Sequence, residues 1–300
     1  MPQGILNINK PRGVTSFSVV SRVRRLTKVR RVGHAGTLDP LADGVLPICL
    51  GPATRIVEYL VDAPKAYFAA IRLGAATDTY DAEGTVTATG DPSAVTAARI
   101  EEELGGFRGR IEQLPPMYSA LKHEGRPLYE YARAGKEAPR RPRPVMVYRL
   151  ELLRFEPPVA EVEIECGRGA YVRTLAHDLG ERLGCYGHVE QLTRLASGPF
   201  SLAGAVSPDA FEAAVAEDRW QELLSPVDRV LESWHAALLG EEHTRDVRQG
   251  HLLVLDPVRD VSALAKESPC RAYSAEGDFL AILRYRGENR WHPEKVFSPL

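Results

Sequence analysis

Residues 33 to 51 read GHAGTLDPLADGVLPICLG, and this stretch contains the first carboxylate of the chain, Asp39. The 38 residues before it include eight Lys or Arg side chains and no Asp or Glu. An acid that follows a long cationic segment, in a turn rich in Gly and Pro, indicates a reactive carboxylate where a polyanion docks. We therefore expect a nucleic-acid partner.

The charge of the chain is uneven along its length. The net charge is −2 and the sequence pI is about 6.5, which excludes a uniformly basic nucleic-acid binder. Residues 209–242 carry nine acids against Arg219 and Arg229, the reverse of the N-terminal segment. A chain of 300 residues with 44% apolar content can bury one large core and a small second one. We predict two domains, residues 1–232 and 233–300.

The cysteines and the apolar runs indicate the compartment. The 4 Cys residues form no CxxC pair, which disfavours a zinc site and a disulfide framework and fits a reducing cytoplasm. The N-terminus lacks an apolar signal core, and no apolar run approaches the roughly 18 residues that a membrane helix needs. We expect a soluble cytoplasmic protein with no membrane partner and no metal.

Apolar periodicity predicts both helices and strands. Thr15 or Ser16 is expected to cap the first helix. The predicted helices are 16–26, 53–61, 94–104 and 171–183, and the predicted strands are 4–9, 45–50, 66–73, 85–89, 145–155 and 159–166. These elements do not alternate strictly, so a doubly wound parallel sheet is disfavoured. We predict an α+β fold with a mixed, largely antiparallel central sheet flanked by helices and loops, followed by a small β-rich C-terminal domain.

A second cationic stretch spans residues 122–149, where eight Lys or Arg side chains accompany three Glu. Its segment GKEAPRRPRPV is too rich in Pro and charge to pack, which predicts a projecting loop after a short helix at 129–134, both within an insertion at about 122–144. Tyr residues interleave the positive charge, as in single-strand RNA grips. A solvated linker is the alternative, but the interleaved Tyr residues favour an RNA-gripping arm, for which Arg140, Arg141 and Arg143 are the expected contacts to the RNA backbone.

Each candidate site residue has an ordinary structural explanation when taken alone. Asp before Pro commonly starts a turn, Tyr67 fits a half-buried strand, and Arg173 fits an ion pair at a helix N-terminus. His34 has no second ligand at metal spacing, which favours a turn or an RNA contact. Asp43 and Asp39 suggest a glycosidase-like acid pair, but no sugar-stacking aromatics accompany them.

Seven motifs, however, follow one another in a set order: NKPRGVTS (9–16), GHAGTLDPLADGVLPICLG (33–51), KAY (65–67), LGAATDTYDAEG (73–84), QLPPMYSALKHEGRPLYEYARAG (113–135), CGRGAYVRTLAHDLG (166–180) and LTRLASGPFSL (192–202). Together they resemble the bacterial TruB family of tRNA pseudouridine synthases. The resemblance covers residues 4–202 closely, and the tail loosely resembles the family's small PUA-type RNA-binding domain.

The resemblance implies a reaction and a set of residues. The reaction is isomerisation of uridine 55 in the T-loop of tRNA to pseudouridine, by a monomer without metal or organic cofactor. Asp39 is implied as the catalytic aspartate, Tyr67 as the aromatic that stacks on the target base, and Arg173 as the ion-pair partner of Asp39. The implied substrate-binding residues are Lys10, His34, Gly36, Thr37, Leu38, Tyr171 and Leu192.

Physical chemistry agrees with these roles. A stacked uridine must be extruded into a pocket with an aromatic face, at a cost of a few kcal/mol. A closed pocket tends to protonate a carboxylate, and a guanidinium counters that by stabilising the anion. Whether Asp39 attacks C1′, attacks C6 of the base or removes a ribose proton stays open. Two other classes also stay open: a non-catalytic RNA-binding module, and a synthase of the same catalytic type that acts on another RNA with a guide.

Overall fold

The computed structural model describes residues 2–255 and 264–297 of the chain. Seven α-helices lie within these residues: α1 Ser16–Thr27, α2 Val57–Asp62, α3 Ala97–Gly105, α4 Leu128–Arg133, α5 Val172–Arg182, α6 Pro208–Ala216 and α7 Glu241–Gln249. Short 3₁₀ helices span Gly51–Ile56, Leu202–Gly204, Trp220–Leu223 and Val227–Leu231.

The described residues also form nineteen β-strands. They are β1 Gly4–Lys10, β2 Val32–His34, β3 Asp43–Leu50, β4 Lys65–Leu73, β5 Ala75–Thr77, β6 Val86–Thr89, β7 Gly109–Gln113, β8 Lys122–His123, β9 Arg126–Pro127, β10 Arg143–Glu156, β11 Val159–Cys166, β12 Gly187–Ser197, β13 Phe200–Ser201, β14 Leu224–Ser225, β15 His235–Leu239, β16 Leu253–Val254, β17 Pro269–Ser274, β18 Phe279–Gly287 and β19 Arg290–Val296.

Ten strands form one large sheet, in the order β14-β1-β3-β12-β4-β11-β10-β7, with β2 paired to β3 and β13 to β12. Its described neighbours are antiparallel apart from β3 and β12, which run parallel. The predicted α+β fold with a mixed, largely antiparallel sheet is confirmed. The parallel pair matters for function because the turn that carries Asp39 leads directly into β3.

Side chains alternate across this sheet to fill two cores. On β1 and β3, Leu6 and Ile48 pack in the main core with α1, α3, α5 and α6. Ile5 and Cys49 are their immediate neighbours, and they face the other side, in a second core with α2. A strand that is buried on both faces reads as a continuous apolar run, and β3 does so.

The C-terminal tail forms its own five-stranded sheet, in the order β15-β17-β18-β19-β16, covered by α7. Within it, β17 covers most of the segment CRAYSA (270–275) and β18 covers FLAILRYR (279–286). Ile282 and Phe297 of the tail are fully buried in the second core, against Ile56 and Leu60. The boundary between residues 232 and 233 stays a prediction, and apolar packing crosses it.

Two predicted elements differ from the structure. The helix expected at 53–61 is divided in the structure into a 3₁₀ helix, Gly51–Ile56, and α2, Val57–Asp62. The insertion at 122–144 contains the short helix predicted at 129–134, as α4, but it also contains the β8–β9 hairpin, which was not predicted, and β10 already begins at Arg143. Thr15, one of the two expected caps, accepts a hydrogen bond from the Ser18 N–H and caps α1.

Candidate active site

A pocket of about 240 Å³ opens where the Asp39 turn, the start of β4, the start of α5 and the middle of β12 meet. Its lining includes Gly36, Thr37, Leu38, Asp39, Lys65, Tyr67, Tyr171, Arg173, Leu192 and Arg194. The three residues expected to be catalytic therefore lie together, although their motifs are far apart in the chain. Of the expected substrate-binding residues, Lys10 and His34 lie outside this lining.

The Asp39 turn is held from the N-terminal side by two contacts. Ser16 Oγ donates to the Leu38 carbonyl at 2.9 Å and accepts from the Leu38 N–H at 2.8 Å, fully buried. The Gly13 N–H donates to the Pro40 carbonyl at 2.8 Å. A hydroxyl that both donates and accepts fixes the backbone on either side of it. Sequence reasoning treated Ser16 only as a cap candidate and missed this role.

Lys10 supports the turn from behind. Its ammonium is fully buried and donates to the carbonyls of Pro11 at 2.9 Å and Val14 at 2.8 Å. Burial lowers the pKa of Lys10 to about 8, and the nearby carboxylates of Asp43 and Asp39 oppose that decrease. The structure thus gives Lys10 backbone partners in the 11–14 loop and, at 3.5 Å, the Pro40 carbonyl of the Asp39 turn. Asp43 was considered above as the partner of Asp39 in a glycosidase-like acid pair. It is the first residue of β3 and is not among the described residues that line the pocket.

Arg173 is the centre of a buried hydrogen-bond network at the first turn of α5. Its Nε donates to Asp39 Oδ2 at 2.9 Å. Its Nη1 donates to the Thr79 carbonyl at 3.0 Å and to Asp81 Oδ2 at 3.2 Å, and its Nη2 donates to the Tyr118 carbonyl at 2.8 Å. The rigid guanidinium fork therefore has a partner on every nitrogen, which sets its orientation toward Asp39.

Asp81 is a residue that sequence reasoning missed. It is buried, and its Oδ1 accepts from Thr79 Oγ1 at 2.6 Å and from the Glu83 N–H at 3.1 Å while Oδ2 meets Arg173. The signal was present, since Asp81 belongs to the motif LGAATDTYDAEG (73–84). Two carboxylates, Asp39 and Asp81, consequently share one guanidinium.

The protonation of Asp39 depends on that arrangement. Burial raises the pKa of Asp39 above its usual value, the Arg173 guanidinium opposes the increase, and the second carboxylate of Asp81 adds to it. The Asp39 side chain keeps 35% of its exposure, toward the pocket. An anion so placed is reactive and also sensitive to the loss of its cation.

Tyr67 and Arg194 face each other across β4 and β12, where their Cα atoms are paired. Arg194 is 1% exposed, and its Nε donates to the Val45 carbonyl at 2.6 Å and its Nη2 to the Gly36 carbonyl at 3.2 Å. Burial raises the pKa of Tyr67, with the Arg194 charge opposing that increase. Tyr67 is thus an uncharged aromatic surface at neutral pH. Leu192, 7% exposed, adds an apolar wall beside it.

The parallel contact between β3 and β12 requires glycine at position 44. Gly44 has φ +99°, and a Cβ there would lie 2.3 Å from the Arg194 carbonyl oxygen. No side chain fits without separating the two strands. Because β12 carries Leu192 and Arg194, this contact holds one wall of the pocket beside the Asp39 turn.

Tyr171 and His34 have different surroundings. Gln113, itself buried, accepts from the Tyr171 N–H at 2.9 Å and donates to its carbonyl at 3.2 Å, which fixes the residue before α5. His34 lies on β2, and among the described residues its Nδ1 has no hydrogen-bond partner. Burial and then the Arg194 charge lower the pKa of His34, so its ring is neutral at pH 7.

The arginines of the insertion are only partly free. Arg141 and Arg143 are exposed, whereas Arg140 is half-buried and donates to the Pro115 carbonyl at 3.0 Å. Across residues 2–255 and 264–297 there is no cluster of three or more His, Cys, Asp or Glu that could hold a metal ion. Over the same ranges, no helix has the length and apolar character needed to span a membrane.

Comparison with known families identifies the architecture. Residues 24–172 match the N-terminal domain of TruB family pseudouridylate synthases, and residues 173–232 match the C-terminal domain of tRNA pseudouridylate synthase B. The chain belongs to the TruB family. It is therefore a pseudouridine synthase, an enzyme of the isomerase class.

Relatives are similar to this chain over nearly its whole length. A protein of Dehalococcoides mccartyi called tRNA pseudouridine synthase B is 44% identical over 98% of this chain and 96% of its own length. One of Aromatoleum aromaticum with the same name is 51% identical over 98% of this chain and 92% of its own. This TruB chain thus matches its relatives from the Asp39 region through the tail.

Solved structures support the fold. A chain of an H/ACA ribonucleoprotein bound to a substrate RNA containing 2′-deoxyuridine superposes with a TM-score of 0.75 at 23% identity, covering 99% of this chain and 85% of the other. A chain of an archaeal box H/ACA Nop10–Cbf5 complex gives 0.73 at 23% identity, covering 99% and 87%. At this identity the likeness establishes the pseudouridine synthase fold alone.

Proposed function

We propose that this TruB protein converts uridine 55, in the T-loop of tRNA, to pseudouridine. The observation that carries the proposal is the Asp39–Arg173 ion pair of 2.9 Å in a pocket that also holds Tyr67. The relatives named tRNA pseudouridine synthase B support tRNA as the substrate class. The T-arm is the proposed binding element, and the reaction is placed in the cytoplasm.

The first requirement of the reaction is access to the base. A base stacked in a structured loop has to leave the stack, at a cost of a few kcal/mol, before its glycosidic bond can be reached. Tyr67 is proposed to stack on the extruded uracil, with Leu192 as the apolar wall. Gly36, Thr37, Leu38 and Tyr171 also line the pocket and are proposed to contact the nucleotide.

The second requirement is an ionised carboxylate at the sugar. Isomerisation breaks the bond from C1′ to N1, forms a bond from C1′ to C5, releases the C5 proton and leaves a proton on N1. Asp39 is proposed to act on the nucleotide as the anion, and Arg173 to keep it ionised despite its burial. The working unit is proposed to be a monomer.

The test uses unmodified tRNA that carries tritium at C5 of its uridines. Wild-type protein is expected to release tritium and to leave pseudouridine at position 55 on mapping. Asp39→Asn is expected to abolish release while tRNA affinity stays within about tenfold, roughly 1.4 kcal/mol, because the amide keeps the shape but carries no charge.

Three outcomes would count against the proposal. Retained turnover of Asp39→Asn above a few per cent of wild type would remove Asp39 from the chemistry. Product at another tRNA position would exclude position 55. Failure of an isolated T-arm stem-loop to compete with tRNA would exclude the T-arm as the binding element.

A further inference from the structure

Tyr80 lies between two acceptors of Arg173 and has an unusual backbone. Its neighbours Thr79 and Asp81 supply the carbonyl and the carboxylate that Nη1 of Arg173 contacts. Tyr80 has φ +63°, in the left-handed region that side chains with a Cβ rarely adopt. Such a conformation persists only where the surroundings hold it, and it is frequent at functional sites.

The ring of Tyr80 is held by a stack with His177. The two ring centroids lie 4.0 Å apart and the planes differ by 9°. His177 follows Arg173 by four residues on α5, so both side chains project from the same face of one helix. The helix that presents Arg173 therefore also holds the segment that carries its acceptors.

The rest of the segment is fixed by backbone bonds to β12. The Val189 N–H donates to the Tyr80 carbonyl at 3.0 Å, and the Ala82 N–H donates to the Val189 carbonyl at 2.9 Å. Nδ1 of His177 is buried and makes no hydrogen bond to the described residues, so the ring contributes its face here. The stack thus adds a second side-chain contact between the segment and α5, beside that of Asp81 with Arg173.

We infer that the Tyr80–His177 stack is a positioning pair for the isomerisation. It holds the Thr79 carbonyl and the Asp81 carboxylate against Nη1 of Arg173, and the rigid guanidinium then directs Nε at Asp39. Neither ring belongs to the pocket lining that the described residues form, so both act through Arg173. The kinetic part of this inference rests on the proposed function.

Two sets of variants distinguish the effect of the ring stack from the effect of the left-handed backbone at Tyr80. Tyr80→Gly removes the ring and relaxes the left-handed backbone, and His177→Ala removes the other ring. Each is expected to lower kcat on tRNA by about tenfold or more with KM within about threefold, since positioning acts on the transition state. Tyr80→Phe and His177→Phe keep an aromatic face and are expected to retain kcat within about threefold.

Tyr186 supplies a matched control. It is also a tyrosine with φ +63°, and its carbonyl accepts from the Gly74 N–H at 3.1 Å, away from Arg173. Tyr186→Gly relaxes the same backbone conformation and is expected to leave kcat unchanged. Thermal unfolding of every variant shows whether a loss of kcat accompanies a loss of fold.

A second readout needs no activity. The Arg173 Nε–H donates to Asp39, and its exchange with solvent can be followed by NMR in ¹⁵N-labelled protein. Exchange is expected to accelerate about tenfold in Tyr80→Gly and in His177→Ala but not in Tyr186→Gly, because only the first two loosen the network. If the wild-type protein is inactive on tRNA, the proposed function fails. The exchange measurement still shows whether the Tyr80–His177 stack positions Arg173.

Two results would overturn the positioning role. One is Tyr80→Gly with wild-type kcat and unchanged Arg173 exchange. The other is His177→Phe as impaired as His177→Ala, which would point to imidazole chemistry in place of stacking.

Discussion

At the scale of single residues, Arg173 connects the chemistry to the fold. Its four hydrogen bonds reach the Asp39 turn, the Thr79–Asp81 segment and the Tyr118 carbonyl, so one side chain joins three segments that are distant in sequence. A point charge on a flexible stem could pair with Asp39 but could not satisfy all of these acceptors. This explains why arginine, and not lysine, suits the position.

The pH dependence of turnover tests that role. If Asp39 acts as the anion, kcat falls on the acid side as Asp39 is protonated. Arg173→Ala removes the cation that opposes burial, so the pKa of Asp39 rises further and the acid limb moves to higher pH. Arg173→Lys keeps a charge and is expected to shift the limb less. Tritium release at saturating tRNA from about pH 5 to 9 measures the acid limb in both variants. If the acid limb does not move in Arg173→Ala, Arg173 serves only the fold or RNA binding.

At the scale of elements, the insertion and β10 test how RNA is held. Arg141 and Arg143 are exposed where the insertion enters β10, whereas Arg149 and Arg154, farther along the same strand, are paired with Glu163 and Glu156. Paired arginines have less positive charge to offer a phosphate. The two pairs therefore differ in how available their charge is, although three of the four arginines lie on β10.

Salt dependence of tRNA binding separates them. Changing Arg141 and Arg143 to Gln is expected to flatten the slope of log affinity against log salt by up to about two units, because each phosphate contact releases counterions. The same change at Arg149 and Arg154 removes equal charge and is expected to leave the slope unaltered. If both double variants keep the wild-type slope, the insertion is a solvated linker.

Elements also show where sequence reasoning ended. Strands 145–155 and 159–166 were predicted closely because their apolar residues alternate. The strand β12 was missed, although part of it lies in a quoted motif, because a buried Arg194 at its centre does not resemble a strand core. Its carbonyl partners lie 149 and 158 residues away, and Asp81 lies 92 residues from Arg173. Long-range pairs of this kind leave no local pattern.

At the scale of the whole molecule, the tail is linked to the pocket through α2. Phe297 packs in the second core, which includes Leu60 of α2. Lys295 Nζ donates at 2.7 Å to the carbonyl of Arg55, which lies shortly before α2 begins. At the other end of α2, Lys65 Nζ donates to the Val61 and Ala63 carbonyls at 2.5 and 2.7 Å, and Lys65 lines the pocket. The tail therefore borders the helix that anchors one pocket residue.

Truncation after Glu232 tests what the tail contributes. We expect KM for full-length tRNA to rise several-fold with kcat largely intact, because a grip on a distal part of tRNA stabilises ground and transition states alike. An isolated T-arm, too short to reach the tail, should show little change in KM. Exposure of Ile56 and Leu60 should lower the thermal midpoint by several degrees, since each large apolar side chain contributes roughly 1.5–3 kcal/mol when buried.

The short substrate decides between a binding tail and a structural one. A truncated protein that unfolds cooperatively and turns over the T-arm at the wild-type kcat has lost only a distal contact. A folded truncation with no turnover at saturating T-arm would mean that α2 and Lys65 need the tail to complete the pocket. In that case the functional unit is the entire chain, and a boundary after residue 232 divides one enzyme rather than two domains.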